Sequence, residues 1–204
     1  MPRGFNEQEK ARIKQILLEE GKILFSRFGL KKTSINELAK AASIAPGSFY
    51  TFYQSKEELF FEIMEKEEEI IKSQFLDFDM TKEHDPKQAM KDLLLQAFAN
   101  LERNTLFSQL FLENNYEAIL RKLPQEKLES HFKLDSNAAD LIVNKWKEKG
   151  LIREIDSEVL AGLFRALFTI SLHKEEIGEE VYPQTLELLV HFIVEGLANN
   201  EGDE

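Results

Sequence analysis

Apolar residues recur along this chain at intervals of three and four, and no long stretch alternates with period two, so the pattern predicts helices throughout. Ile13, Ile16, Leu17, Leu24 and Phe28 form one stripe, opened by a capping box at Asn6-Glu7-Gln8-Glu9 and stopped at Gly29. Ser34-Ile35-Asn36-Glu37 is a second capping box and opens a short helix to about Ala42. Pro46 suits the first turn of another short helix to about Phe52, because a proline there lacks only an amide proton that has no helical acceptor anyway. A third box, Ser55-Lys56-Glu57-Glu58, heads a long helix with Leu59, Phe60, Ile63, Met64, Ile71 and Phe75 on its inner side. After a loop through Met80 to Pro86, the pattern predicts helices over 86–103, 105–121, 135–149, 156–174 and 183–199. Their start signals are Asp135/Ser136, Asp156/Ser157 and Pro183, and Gly150 is a stop; Leu123 to Lys133 is ambiguous.

Composition narrows the class. With 204 residues and 43% hydrophobic content the chain can bury a core large enough for a small domain joined to a larger one. There is no cysteine, which excludes disulfides, thiolate metal sites and cysteine nucleophiles and agrees with a cytoplasmic setting. No apolar signal core follows the first residues, and the longest apolar-rich stretch, Val159 to Leu172, contains Arg165 and falls short of the roughly 20 residues a membrane span needs. No membrane association is expected.

A net charge of −11 argues at first against a nucleic-acid partner, because a DNA-binding surface must offset phosphate charge. The distribution reverses the argument. Residues 1–60 hold ten Lys/Arg against seven Asp/Glu, a net +3, which leaves −14 on the remainder. A basic head on an acidic body fits a DNA-binding domain attached to one that does not bind DNA.

Within that head, residues 33–59 read TSINELAKAASIAPGSFYTFYQSKEEL: two short helices joined by about four residues and followed by a capped long helix. This is the layout of a helix-turn-helix, in which one helix braces against the backbone and the next enters the major groove. Ala39 and Ala42 let the two helices approach, Pro46, Gly47 and Ser48 form a helix start suited to phosphate, and Tyr50 and Thr51 offer hydroxyls on the same element. Thr33 or Ser34 can cap the first short helix while facing a phosphate, and Lys56 adds a positive charge. The alternative is a plain helical bundle whose short helices only turn the chain.

The same string resembles the N-terminal fingerprint of the tetracycline-repressor (TetR) family of transcriptional regulators at Thr33, Ile35, Leu38-Ala39, Ala42, Gly47-Ser48, Phe49-Tyr50, Tyr53, Lys56 and Leu59. The resemblance implies an all-α fold, with a three-helix helix-turn-helix DNA-binding domain over 1–54 and a larger helical ligand-sensing and dimerisation domain over 55–204, whose first helix links the two. It also implies phosphate contacts by Thr33, Ser48, Tyr50 and Lys56 and groove-facing positions at Asn36, Pro46, Gly47 and Thr51. Phe49 is expected in the core, and Tyr53 is expected to pack as well as hydrogen-bond. Two positions depart from the pattern: Ser43 stands at a turn usually held by glycine, and Glu20-Gly21 stands where small residues, usually alanine, are common. Because Ala45 to Phe52 contains no Arg or Lys, base reading is expected to rest on Asn36, Thr51, and Pro46 or Ala45 against thymine methyls.

The acidic body offers no readable motif. Phe98, Phe107, Phe111, Tyr116, Trp146, Phe164 and Phe168 are candidates to line a mostly apolar effector pocket, with ordinary core packing as the alternative for each. His131 and His173 could add polar contacts. On the last two helices, apolar on more than one side, Leu160, Leu163, Leu167, Leu186, Leu189, Val190, Ile193 and Leu197 are candidates for a homodimer interface, with Gly162 and Gly196 allowing close approach. The reading is therefore a repressor released from a palindromic operator by a small, largely apolar molecule, with no cofactor and no enzymatic activity. Two alternatives stand beside it: a helical protein-interaction module without DNA binding, and a metal site at Glu187, His191 and Glu195, which share one helical face.

Overall fold

The structure is a computed structural model and describes residues 5–79, 84–110 and 115–199, apart from the Asn115 side chain. It is all-α. In chain order the elements are α1 (Glu7–Lys32), α2 (Ile35–Ala41), a 3-10 segment (Pro46–Thr51), α3 (Lys56–Asp77), α4 (Pro86–Arg103), a 3-10 turn (Phe107–Gln109), α5 (Asn115–Leu120), α6 (Gln125–Glu148), α7 (Ser157–Leu172), α8 (Lys174–Ile177) and α9 (Tyr182–Leu197). The chain forms two compact units. One comprises residues up to Glu68 together with Asn104–Gln125, the other Glu69–Arg103 together with Glu126 onward.

In the first unit the capping boxes set the helix starts. Asn6 and Glu9 exchange side-chain-to-backbone bonds at 2.8 Å each, and Ser34 and Glu37 do the same at the head of α2. At α3 the Ser55 hydroxyl accepts from Glu58 N at 3.1 Å, while the Glu58 carboxylate reaches one residue further back, to Gln54 N at 2.6 Å. The inner faces of α1, α2 and α3 bury Leu17, Phe25, Leu38, Leu59 and Phe60 completely, with Phe25 and Phe60 meeting edge to face at 5.3 Å. Gly21 now has a reason. A methyl group there would meet Ile63 Cδ1 at 3.1 Å and Leu59 Cδ2 at 3.2 Å, so α3 crosses α1 where α1 has no side chain.

The second unit has its own core, with Met90, Leu94, Trp146, Leu160, Leu167 and Val190 all at 1% exposure or less. α4 and α9 pack together in it, and Lys87–Glu195 (3.1 Å) and Lys91–Glu187 (3.0 Å) bridge them at the surface. At the other end of α9, Tyr182 donates to Glu102 at 3.3 Å and lies under the Lys174 ammonium, which itself pairs with Glu102. Ile152 and Ala198 form an isolated antiparallel bridge that ties the loop after α6 to the end of α9.

Two helix expectations need correction. The stretch 105–121 is not one helix: Asn104 Oδ1 accepts from Leu106 N at 2.9 Å, which turns the chain into the 3-10 turn, and α5 starts afresh at Asn115. α6 begins at Gln125, ten residues before the expected start at Asp135/Ser136. Those two residues do not act as caps because each is satisfied inside the helix: Asp135 pairs with Lys72 at 2.5 Å, and the Ser136 hydroxyl donates to Phe132 O at 3.0 Å. The short α8 was not expected, and Gly178 at φ 103° ends it.

The crossing at Gly21 gives a direct test. Gly21→Leu should destabilise the protein by about 2 kcal/mol in urea unfolding, since added volume at a close crossing forces neighbours out of their rotamers; unchanged stability would mean that α3 does not press there.

Candidate nucleic-acid interface

The interface is built outward from the end of α1. Gly29, at φ 83°, breaks the helix where the sequence placed its stop, and the chain continues through Leu30 to Lys32 before turning into α2. That break exposes backbone groups inside the unit, and three side chains satisfy them. Thr33 donates its hydroxyl to Gly29 O at 2.8 Å. Gln109 is 8% exposed; its amide donates to Phe25 O at 2.7 Å, and its carbonyl accepts from Leu30 N at 2.7 Å. Lys56 directs its ammonium at the carbonyls of Leu30 (2.7 Å), Lys31 (3.1 Å) and Thr33 (2.8 Å). Burial pulls the Lys56 pKa below the usual lysine range.

From that anchor α2 runs to Ala42 and closes with a Schellman-type turn. Ile44 N donates to Ala39 O at 2.9 Å and Ser43 N to Lys40 O at 3.0 Å. The turn requires a left-handed residue, and Ser43 supplies it at φ 56°, the strain anticipated for a serine in a glycine position. The element expected as a short helix after it is 3-10, with Ser48 N bonded to Ala45 O and Phe52 N to Phe49 O, each at 2.9 Å. Its three-residue period stacks Pro46, Phe49 and Phe52 in one row and leaves Gly47 with Tyr50, and Ser48 with Thr51, on the others. Phe49 is fully buried, with the Tyr50 ring edge-on to it at 5.8 Å, so this one side chain holds the segment down while its other rows face outward.

Most of the residues proposed from the sequence lie on the outer side of this segment. Ser34, Asn36, Ala45, Pro46, Gly47, Tyr50 and Thr51 are exposed, Tyr50 at 60%, and Ser48 is half-buried. Thr33, Tyr53 and Lys56 are different. Thr33 is 1% exposed with its hydroxyl turned to the end of α1, and Tyr53 is 2% exposed, its phenol pushed up first by burial and then by the Glu62 carboxylate. All three Lys56 protons already have carbonyl acceptors, because an ammonium has three donors. These three side chains brace the interface, Thr33 and Tyr53 from within and Lys56 half-buried at its groove.

A groove of about 450 Å³ opens beside these residues, lined by Ser34, Asn36, Tyr50, Gln54, Lys56 and Lys122 among others. Lys122 has no counterpart among the sequence candidates. Nothing local distinguishes it from other surface lysines, and only folding brings it next to Glu57, 65 residues away.

The remaining candidates separate by unit. Phe98 and Trp146 are buried in the core of the second unit, with Phe164 and Phe168 packed against it. Phe107, fully buried, and half-buried Tyr116 belong to the first unit, and Phe111 lies outside the described residues. Trp146 Nε1 and Arg165 Nη1 are buried donors with no hydrogen-bond partner among the described residues. His131 faces Asp135 at 3.7 Å and His173 faces Glu176 at 3.4 Å. Of the interface candidates, Leu160, Leu167, Leu186, Val190 and Leu197 are buried in their own unit and so cannot cover a partner, whereas Leu163, Leu189 and Ile193 are half-buried. The large apolar side chains left exposed on α7 and α9 are Val159 (53%), Leu188 (52%) and Phe192 (60%). Alternation of burial within an apolar helix concealed them. The Glu187, His191, Glu195 face carries ion pairs to α4 through both of its carboxylates.

Residues 17–63, the stretch from mid-α1 into α3 that contains this interface, match the family model described as bacterial regulatory proteins, tetR family. Residues 17–63 belong to the TetR family. The chain also aligns with the HTH-type transcriptional regulator AcrR of Shigella flexneri, 31% identical over 107 residues, covering 51% of this chain and 50% of AcrR. The chain thus spans about half the length of that curated relative. A TetR-family regulator from Pectobacterium atrosepticum superposes with a TM-score of 0.71 at 15% identity, covering 96% of this chain and 99% of that one. SmeT, the repressor of the Stenotrophomonas maltophilia multidrug efflux pump SmeDEF, gives 0.58 at 15% identity over 92% and 91%, and SmeT is also solved in complex with triclosan. At such identities the likeness establishes the TetR fold for the body of the chain.

Ser43 is the strained point of the TetR-type turn. Ser43→Gly should raise unfolding stability by about 0.5–1 kcal/mol, the relief of a left-handed serine less the extra freedom glycine gives the unfolded chain; a loss of stability would show that the serine side chain contributes a compensating contact.

Proposed function

We propose that this protein is a transcriptional regulator that binds operator DNA as a homodimer and leaves it when a small molecule binds the body of the chain. Residues 1–54 read DNA, and residues 55–204 sense and dimerise. The observation that carries the reading is the exposed face of Asn36, Pro46, Gly47, Tyr50 and Thr51 on a TetR-type helix-turn-helix held from beneath by Phe49. That face offers hydroxyls, an amide, a proline ring and bare backbone, which suits recognition. The ligand can act only by preferring a conformation whose two reading heads no longer match the operator spacing.

The dimer reading rests on α7 and α9. Val159, Leu163, Ala166 and Ile170 recur at helical spacing on the outer side of α7, each exposed or half-buried, and Leu188, Phe192 and Gly196 do so on α9. Two such helices from each subunit make a self-complementary four-helix contact. For the effector, a largely apolar core containing the unsatisfied Trp146 Nε1–H favours an apolar molecule that carries a hydrogen-bond acceptor.

Mobility shifts with DNA from upstream of its own gene should give a complex that weakens steeply between 50 and 200 mM salt, as phosphate neutralisation demands. Site selection from random DNA should return an A/T-biased palindrome, and small phenols such as triclosan should release the complex. Salt-independent binding, or a G/C-dominated motif, would contradict the recognition chemistry; a protein partner captured with no DNA binding would favour the interaction-module alternative.

Leu188→Asp/Phe192→Asp should convert the dimer to a folded monomer in analytical ultracentrifugation, with circular dichroism unchanged and operator affinity reduced at least tenfold. A variant that remains dimeric would remove α9 from the interface.

A further inference from the structure

We infer that Lys122, in the turn between α5 and α6, is a DNA-phosphate contact of the reading face, delivered by a stretch of chain far in sequence from the helix-turn-helix. The assignment rests on the DNA-binding reading above and adds to it a residue that neither the sequence pattern nor the matched region, residues 17–63, contains.

The geometry begins with a shortage. The 3-10 segment and its flanks from Ala45 to Phe52 carry no cation, and Lys56, the nearest one in sequence, has all three ammonium protons directed at the carbonyls of Leu30, Lys31 and Thr33. Moving Lys56 to a phosphate would leave those carbonyls without their donor. Lys122 lines the same groove as Ser34, Asn36 and Tyr50, and its side chain is 56% exposed. Its one ion pair among the described residues is with Glu57, at 2.7 Å. An ammonium holding one carboxylate keeps two donors for an incoming oxygen anion.

Two ammoniums, those of Lys56 and Lys122, line the groove with Glu57, which is 8% exposed at the head of α3. Burial lowers the Lys56 pKa most, Glu57 raises it, and Lys122 lowers it by less than Glu57 raises it. A phosphate arriving beside Ser34 and Tyr50 meets an ammonium with open donors, and the buried Glu57 carboxylate holds Lys122 at the groove in the meantime. Glu57 is thus a positioning residue and also a competitor for the same ammonium.

The test compares wild type, Lys122→Ala, Lys122→Arg, Glu57→Gln and Lys122→Ala/Glu57→Gln on one operator fragment by mobility shift across a salt series. Lys122→Ala should weaken binding about tenfold and lower the slope of log affinity against log salt by about one unit per subunit. The arginine variant should keep the wild-type slope. Glu57→Gln should tighten binding a few-fold by removing the competitor. The double variant, which leaves no unpaired buried carboxylate, should reproduce the loss of slope with an unchanged melting temperature, so that misfolding cannot imitate the result. Wild type that binds with a salt slope identical to that of Lys122→Ala overturns the assignment alone. Wild type that binds no DNA at any salt overturns the functional reading, and the assignment falls with it.

Discussion

The structure turns on what happens to backbone hydrogen-bonding groups where α1 breaks. A left-handed glycine at position 29 interrupts the helix inside a packed unit, and peptide groups there cannot be left without partners at tolerable cost. Gln109, Thr33 and Lys56 supply those partners from three different parts of the chain. In doing so they join α1, the start of α2, the head of α3 and the 104–110 segment at one point. The reading face is held by this polar junction on one side and by the fully buried Phe49 on the other. Lys56 and Thr33 serve the TetR-type interface from within, which explains how the face can be well ordered while exposing so little charge.

That economy of charge matters in a chain carrying −11 overall. An acidic body repels DNA over about a Debye length, roughly 8 Å at physiological ionic strength, so a positive group must stand at the contact surface itself to be effective. The 3-10 segment offers hydroxyls, a proline ring and bare backbone, which suit thymine methyls and groove shape better than guanine edges. Cations have to come from its surroundings. The placing of Lys122 in the groove beside Asn36 and Tyr50 shows that such surroundings include residues remote in sequence.

Local signals were legible from the chain. Two full capping boxes, the Ser55 cap of the third, the Gly29 stop, the Gly150 stop and the span of α4 emerge as expected because each depends on residues within four positions of one another. Expectations failed where a side chain that resembles a cap is satisfied elsewhere. Asp135 and Ser136 suggested a helix start but sit inside α6, one held by Lys72 and the other bonded to the preceding turn. Over 105–121 the pattern is helical, yet Asn104 captures the amides that would have continued a helix. The aromatic candidates illustrate the same limit: spacing puts Phe107 and Trp146 on apolar faces alike, and nothing local says that they belong to different units.

The sequence by itself determined the all-α class, most helix starts and stops, the basic head and the TetR-type pattern of the reading segment, because all of these follow from short-range spacing and side-chain chemistry. Tertiary structure decided which of those residues remain outside. It buried Thr33 and Tyr53, engaged Lys56 with carbonyls, brought Gln109 to the break in α1 and Lys122 to the groove, and separated buried Leu160 and Val190 from exposed Val159 and Phe192. The physical reason is that exposure and pairing belong to the packed arrangement of segments tens of residues apart, and a periodic pattern in one segment does not contain the positions of the others.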